Sequence, residues 1–231
     1  DSFVRCATCD YAANVEAVTT PVPAEVDFAD VPTAHAEQTP DTPTIDTLVA
    51  VSNGRPDLAR ADRAWHAGDT LKNVVFMVTD PDGSRRPLAI GLPGDREVDL
   101  KRLEAVLLPS TATPFEEADF AARPALVKGY IGPQSLGESS PSGVRYLVDP
   151  RVVTGTRWIT GANSKGQHVY DLVAGRDFTA DGTIDVAEVR EGDQCPSCGG
   201  ELMLARGIEI GHIFQLGRKY AEALGLKVQG E

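Results

Sequence analysis

Asn73-Val74-Val75-Phe76-Met77-Val78-Thr79, then Asp80-Pro81-Asp82-Gly83, then Pro87-Leu88-Ala89-Ile90-Gly91-Leu92 is the stretch that decides the fold class. Two apolar, β-branched runs separated by a Pro- and Gly-bearing turn predict a β-hairpin. Beyond it, Leu100, Leu103, Val106 and Leu107 fall on one face of a predicted helix. Arg96, Lys101, Arg102 and Glu104 fall elsewhere, and Asp95 is placed to cap it. A second short helix is expected from Pro114 to Ala122, with Pro124 ending it. Further strands are expected at Leu126 to Ile131, Val144 to Val148, Val152-Val153, His168 to Val173 and Thr183 to Val189. Short strands with few helices between them predict an α+β fold, a mixed curved sheet or partial barrel with a few helices.

Around this unit, taken as residues 63–190, the composition changes. Residues 19–62 carry Pro21, Pro23, Pro32, Pro40 and Pro43 among Asp, Glu and Thr, and read as an extended linker ending in a short helix from Pro56 to Arg63. Residues 1–18 and 191–231 form the two ends, the second with a helix expected over Leu216 to Leu224. The chain has 231 residues, 42% of them hydrophobic, enough to bury a core. No apolar run approaches the ~20 residues of a membrane span, so no membrane partner is expected. A net charge of -12 argues against a protein that coats RNA, since phosphate neutralisation favours basic surfaces. A few cations in a pocket suffice to grip one RNA end. The start, Asp1-Ser2-Phe3-Val4-Arg5, has neither an initiator Met nor a signal-peptide core, and reads as excised from a longer protein.

The cysteines form two pairs, Cys6-x-x-Cys9 and Cys195-x-x-Cys198. Pairs at this spacing in an otherwise Cys-free chain suggest a reducing compartment and a metal site. If all four thiolates bind one ion, they make a closed tetrahedral zinc site, the two ends of the chain meet, and everything between is an insertion. The plainer alternative is four reduced thiols. His168, Lys72 and Gly132-Pro133, each taken alone, read as a surface or core histidine, a solvated strand-edge lysine and a turn. No GxSxG, HExxH or P-loop occurs.

Taken together, these segments resemble one family. Cys9-Asp10-Tyr11-Ala12-Ala13-Asn14-Val15-Glu16 resembles the stretch just before the insertion domain of bacterial prolyl-tRNA synthetases. Arg206-Gly207-Ile208-Glu209-Ile210-Gly211-His212-Ile213-Phe214-Gln215-Leu216-Gly217-Arg218-Lys219-Tyr220 resembles the stretch where the class II catalytic core resumes. Between them, Gly94-Asp95-Arg96-Glu97-Val98, Lys128-Gly129-Tyr130-Ile131-Gly132-Pro133, Gly161-Ala162-Asn163 with His168, and Gly175-Arg176-Asp177-Phe178 are similar to the editing insertion in order and spacing.

The resemblance implies an editing-deacylase-like fold with short core stubs at both ends, and hydrolysis of the ester of mischarged alanyl-tRNA(Pro). It implies that Lys72 holds the terminal adenosine, that His168 lines or orients the aminoacyl group, and that the Gly132-Pro133 loop offers backbone N–H groups to the ester carbonyl. Asp95 and Asn163 carry over as substrate-binding residues, as do Glu209, His212 and Phe214 on the proline-pocket strand. Cys6, Cys9, Cys195 and Cys198 are the implied zinc ligands. Asp99 departs from the Asn of many relatives. The partners implied are the tRNA(Pro) acceptor end and its alanyl and prolyl esters, in the cytoplasm. ATP, Mg2+ and a homodimer belong to the whole synthetase; this chain is expected to be a monomer without aminoacylation. Two rival readings are a stand-alone trans-editing hydrolase and a non-catalytic zinc-ribbon interaction module.

Overall fold

The computed structural model describes residues 2–208, 211 and 218–227. In chain order its elements are β1 (Ser2–Cys6), β2 (Ala12–Asn14), β3 (His35–Gln38), α1 (Ile45–Gly54), β4 (Thr70–Thr79), β5 (Arg85–Pro93), α2 (Leu100–Leu107), β6 (Thr111–Pro114), α3 (Glu117–Ala121), β7 (Arg145–Val148), β8 (Arg157–Gly161), β9 (Gln167–Val173), β10 (Gly182–Thr183), β11 (Leu202–Arg206) and α4 (Lys219–Ala223). The strands make two sheets. One has eight strands in the order β10-β7-β5-β4-β8-β9-β3, with β6 also on β4. The other has three, in the order β11-β1-β2.

The predicted hairpin is the spine of the larger sheet: β4 and β5 pair antiparallel from Leu71↔Pro93 to Thr79↔Arg85, with Gly83 at φ 86 in the turn, a conformation glycine adopts freely. Alternation along β4 sends Leu71 and Val75 to one core, with Ala89 and Tyr146, and Phe76 and Val78 to a second, with Leu88, Ile90, Leu92 and Leu103 of α2. The other edge of β4 is divided. β8 takes Thr70 and Leu71 in parallel, β6 takes Phe76 to Thr79 antiparallel, and the residues between are left without a strand neighbour on that side. The sheet is mixed and unclosed, with the few helices expected.

Several elements differ from the sequence expectation. Asp99, not Asp95, caps α2, its carboxylate accepting the N–H groups of Lys101 and Arg102 at 2.9 and 3.2 Å. The buried face of α2 is Arg102 and Leu103, whereas Leu100 and Val106 are exposed. Pro114 closes β6, and the helix behind it runs only over Glu117–Ala121. Leu126 to Ile131 is a chain of turns. Leu126 and Ile131 are anchored in the core, and Gly129 between them takes φ 83, which breaks the extended run. Val152-Val153 is irregular chain between two turns, and of Thr183 to Val189 only Thr183 lies in a strand, as the last residue of β10.

The acidic, proline-bearing segment also folds. β3 pairs with β9, from His35↔Tyr170 to Gln38↔Gln167. α1 begins at a capping box between Thr44 and Thr47 and packs Leu48 against Trp65, Ile159 and Tyr170. The expected helix at Pro56 to Arg63 is a series of turns. Arg176, in the turn after β9, donates to the carbonyls of Val31 and Pro32 at 2.9 Å and so ties down the chain entering β3.

The two cysteine pairs meet, as expected if all four thiolates bind one ion. β1 and β11 pair antiparallel from Ser2↔Arg206 to Cys6↔Leu202 around a small core of Val4, Val18 and Leu202. This unit is tied to the larger sheet by buried Arg102, which donates to the carbonyls of Val15 and Val18 at 2.8 and 2.7 Å and to Asp185 at 2.8 Å. Arg96 adds a bidentate pair with Asp193 at 2.8 and 2.5 Å. No helix among the described residues is long and apolar enough to cross a membrane.

Candidate active site and thiolate cluster

A cavity of about 300 Å³ opens where the edge of β4 is left between β8 and β6. Lys72 and Asn73 come from β4, Ile159 to Gly161 from β8, and His168 from β9, while Thr44 and Leu48 enter from the start of α1. The register explains the meeting of residues distant in sequence. Leu71 pairs with Thr160, and Gly161 pairs with His168, so Lys72 and His168 stand on either side of the end of β8.

Each of these residues is held. Lys72 Nζ donates to Glu97 Oε1 at 2.6 Å, and Glu97 is exposed, so the pair sits at the edge of the cavity. His168 is buried, and its Nδ1 lies 2.6 Å from Oγ1 of Thr39. Burial disfavours the imidazolium and lowers the His168 pKa to about 4, so the ring is neutral at physiological pH. Asn73 is pinned on both ends of its amide. Nδ2 donates to the Ile131 carbonyl at 2.9 Å and to Thr160 Oγ1 at 3.1 Å, and Oδ1 accepts the Tyr146 hydroxyl at 2.8 Å. Asn73 escaped the sequence reading because one amide in an apolar strand carries no periodic signal.

Asn163 clamps the neighbouring loop. Its Oδ1 accepts the Gly132 N–H at 3.0 Å, its Nδ2 donates to the Gly132 carbonyl at 3.3 Å, and its own N–H donates to the Tyr130 carbonyl at 2.7 Å. The clamp requires close approach: a Cβ on Gly161 would lie 2.2 Å from the Tyr130 carbonyl, and one on Gly132 would lie 2.0 Å from the Gly161 oxygen. The Gly132 N–H is taken by Asn163, Pro133 has none, and neither residue lines the cavity, whereas Gly129 and Ile131 of the same loop do. Asn163 is therefore a loop clamp outside the lining. Asp95 also stands outside, beside Gly68 and 3.8 Å from Arg96. Glu209, His212 and Phe214 lie outside the described residues.

The four cysteines converge at the other end of the molecule. Their sulfurs all lie within 4.8 Å of one another, with Cys6 to Cys198 at 3.5 Å and Cys9 to Cys195 at 3.8 Å. They are free thiols. Four sulfurs at metal–sulfur distances of ~2.3 Å in a tetrahedron stand ~3.8 Å apart, so the cluster is close enough to hold a metal ion. The N–H of Thr8 points at Cys6 Sγ at 3.3 Å and helps lower its pKa to about 6, which favours the thiolate a metal needs.

Comparison with known proteins agrees with this geometry. A model of the aminoacyl-tRNA editing domain matches residues 39–178, the span that contains the whole cavity. Over its full length the chain is 67% identical to a proline--tRNA ligase of Nocardioides sp. (strain ATCC BAA-499 / JS614), which it covers to 39%. It is 66% identical over 99% of its length to the proline--tRNA ligase of Cutibacterium acnes, covering 38% of that protein. It is 63% identical over its full length to that of Kineococcus radiotolerans, covering 39%. The chain thus spans about 39% of the length of the curated relatives it matches.

Proposed function

This chain belongs to the aminoacyl-tRNA editing domain family, and from that premise we propose that its cavity hydrolyses the ester joining alanine to tRNA(Pro) and spares prolyl-tRNA(Pro). The observation that carries the reading is the placement of Lys72 and His168 on one small cavity, across the end of β8.

The chemistry follows from what each group can do. Lys72 exchanges exposed Glu97 for a phosphate oxygen of the terminal nucleotide and so seats the acceptor end. The acyl group then enters between Leu48, Ile131 and Ile159 beside neutral His168. As charge develops on the ester carbonyl, backbone N–H groups of the lining loop that bears Gly129 and Ile131 would stabilise it. Among the described residues no carboxylate lines the cavity, and an imidazole with a pKa of about 4 is a weak base. A ribose hydroxyl of the tRNA therefore helps activate the attacking water. A proline site cannot strongly reject the smaller alanine, because missing methylenes cost only ~1–3 kcal/mol, so a second and smaller pocket is needed.

The reading places the activity in translation in the cytoplasm, with the tRNA(Pro) acceptor end as partner. In a ligase of the relatives' length, proline activation with ATP and Mg2+ belongs to residues other than these. Cys6, Cys9, Cys195 and Cys198 would hold zinc as a closed structural site, which leaves no position for a reacting water. The ion would join β1, β11 and the second knuckle and contribute to their folding. Steady-state deacylation tests the site. Lys72→Ala should lower kcat/KM on alanyl-tRNA(Pro) by about a hundredfold, as loss of a charge-assisted contact does. His168→Ala should change the ratio of alanyl to prolyl hydrolysis. Full rate in Lys72→Ala would remove the cavity from the reaction.

A further inference from the structure

The two ring nitrogens of His168 stand in different surroundings. Nδ1 meets Oγ1 of Thr39 at 2.6 Å, and Thr39 is fully buried. Nε2 meets no protein group among the described residues, yet it is not sealed in the core, where Nε of Arg96 and Nε of Arg102 are the side-chain atoms left buried and unpartnered. Since the ring lines the cavity, Nε2 is the atom it offers there.

Thr39 is fixed from both sides of its backbone. Its N–H donates to the Gly166 carbonyl at 2.8 Å, and its own carbonyl accepts the Thr42 hydroxyl at 2.7 Å. Its hydroxyl has one proton to give and two acceptors within reach. The Gly166 carbonyl is 3.4 Å away and already accepts the Thr39 N–H, whereas Nδ1 is at 2.6 Å. At 2.6 Å the contact to Nδ1 is shorter than the range of an N–H donor, about 2.7–3.2 Å, and within that of an O–H donor, so the hydroxyl gives its proton to Nδ1 rather than accepting one from it. Nδ1 is then an acceptor, and the single proton of a neutral imidazole resides on Nε2.

We propose that Thr39 is a positioning residue that fixes His168 as its Nε2–H tautomer, so that the cavity presents a neutral hydrogen-bond donor to the acyl oxygen of the bound ester. The inference deepens the hydrolytic reading above and rests on it for the identity of the ligand. The proton stays on Nε2 throughout: the N–H stabilises negative charge on the oxygen and transfers nothing. Because the ring is neutral across the physiological range, the donor is present without competition from an imidazolium. Tyr130, with its ring centroid 5.4 Å from that of His168, flanks the imidazole and limits its tilt.

Long-range nitrogen–proton correlation spectra of the whole chain read the tautomer directly, with His168→Ala identifying the His168 signals. At neutral pH the unaltered chain and Thr39→Ser should show a protonated Nε2 and a bare Nδ1, and Thr39→Val should show a mixture. In deacylation of alanyl-tRNA(Pro), Thr39→Val should lose about tenfold in kcat, the worth of one hydrogen bond, with KM within about twofold. Thr39→Ser should recover the rate. A proton on Nδ1 in the unaltered chain overturns the proposal, and so do equal losses in the two variants, since a packing defect would not be rescued by serine. A protonated Nε2 in a chain that hydrolyses no aminoacyl ester would uphold the positioning by Thr39 and refute the proposed function instead.

Discussion

At the scale of single residues, the site is a set of polar groups whose partners are already chosen. Asn73 spends both ends of its amide on Ile131, Thr160 and Tyr146, and Asn163 spends its own on Gly132. Among the described side chains that line the cavity, those left for a ligand are Lys72, once Glu97 is displaced, and Nε2 of His168. The histidine also links stability to pH. Its pKa is lowered by burial from 6.5 to about 4, so the unfolded chain takes up a proton first as pH falls. The stability contributed by the neutral ring is complete above about pH 6.5 and is lost progressively as pH falls toward about 4, a total of about 3 kcal/mol. Denaturant unfolding at pH 7.5 and 4.5 should show that loss in the unaltered chain and a smaller one in His168→Gln. An equal loss in both would remove His168 from the linkage. Neither Lys72 nor His168 was legible from spacing, since a lone lysine before a strand and a lone histidine within one are ordinary; only the resemblance of the flanking motifs singled them out. Nor does the sequence show that the Gly132 N–H meets Asn163.

At the scale of elements, the hairpin was legible because its two apolar runs and its turn agree on one structure, and β4 and β5 extend only a few residues beyond it. The segment before it was not. Averaged over residues 19–62, prolines and acids hide Thr44 and Thr47, the capping pair that starts α1, and hide the short pairing of β3 with β9. Leu126 to Ile131 misled for the opposite reason: its apolar residues are core anchors of a turn, and Gly129 is the residue that marks it. Asp99 is explained here as well. Asp and Asn are nearly equivalent N-caps, so an Asp where the resemblance leads to an expected Asn still caps α2. Asp99→Ala should lower stability by about 1 kcal/mol and Asp99→Asn by much less. Thermal unfolding checks this, and equal effects of the two changes would show that the cap is not what Asp99 supplies.

At the scale of the whole molecule, the chain is an eight-stranded unit carrying the cavity and a three-stranded unit built from both ends, joined through Arg102 and Arg96. The convergence of the ends was legible as a condition, because four sulfurs in two pairs can hold one ion only if the pairs meet, and they do. Protein purified without chelator should contain about one zinc per chain, and removing it should loosen β1 and β11 while leaving the cavity in place. Amide exchange checks both halves: faster exchange confined to residues 2–18 and 191–206 is expected, and equal loosening of β4 and β9 would contradict it. The measurement closest to the central claim is the hydrolysis of alanyl-tRNA(Pro) and prolyl-tRNA(Pro) by this chain at equal concentration. The proposed function predicts release of alanine well above the uncatalysed rate, with prolyl-tRNA(Pro) left intact. No acceleration on alanyl-tRNA(Pro), or equal hydrolysis of both, would contradict the reading of the cavity as a small-residue editing site.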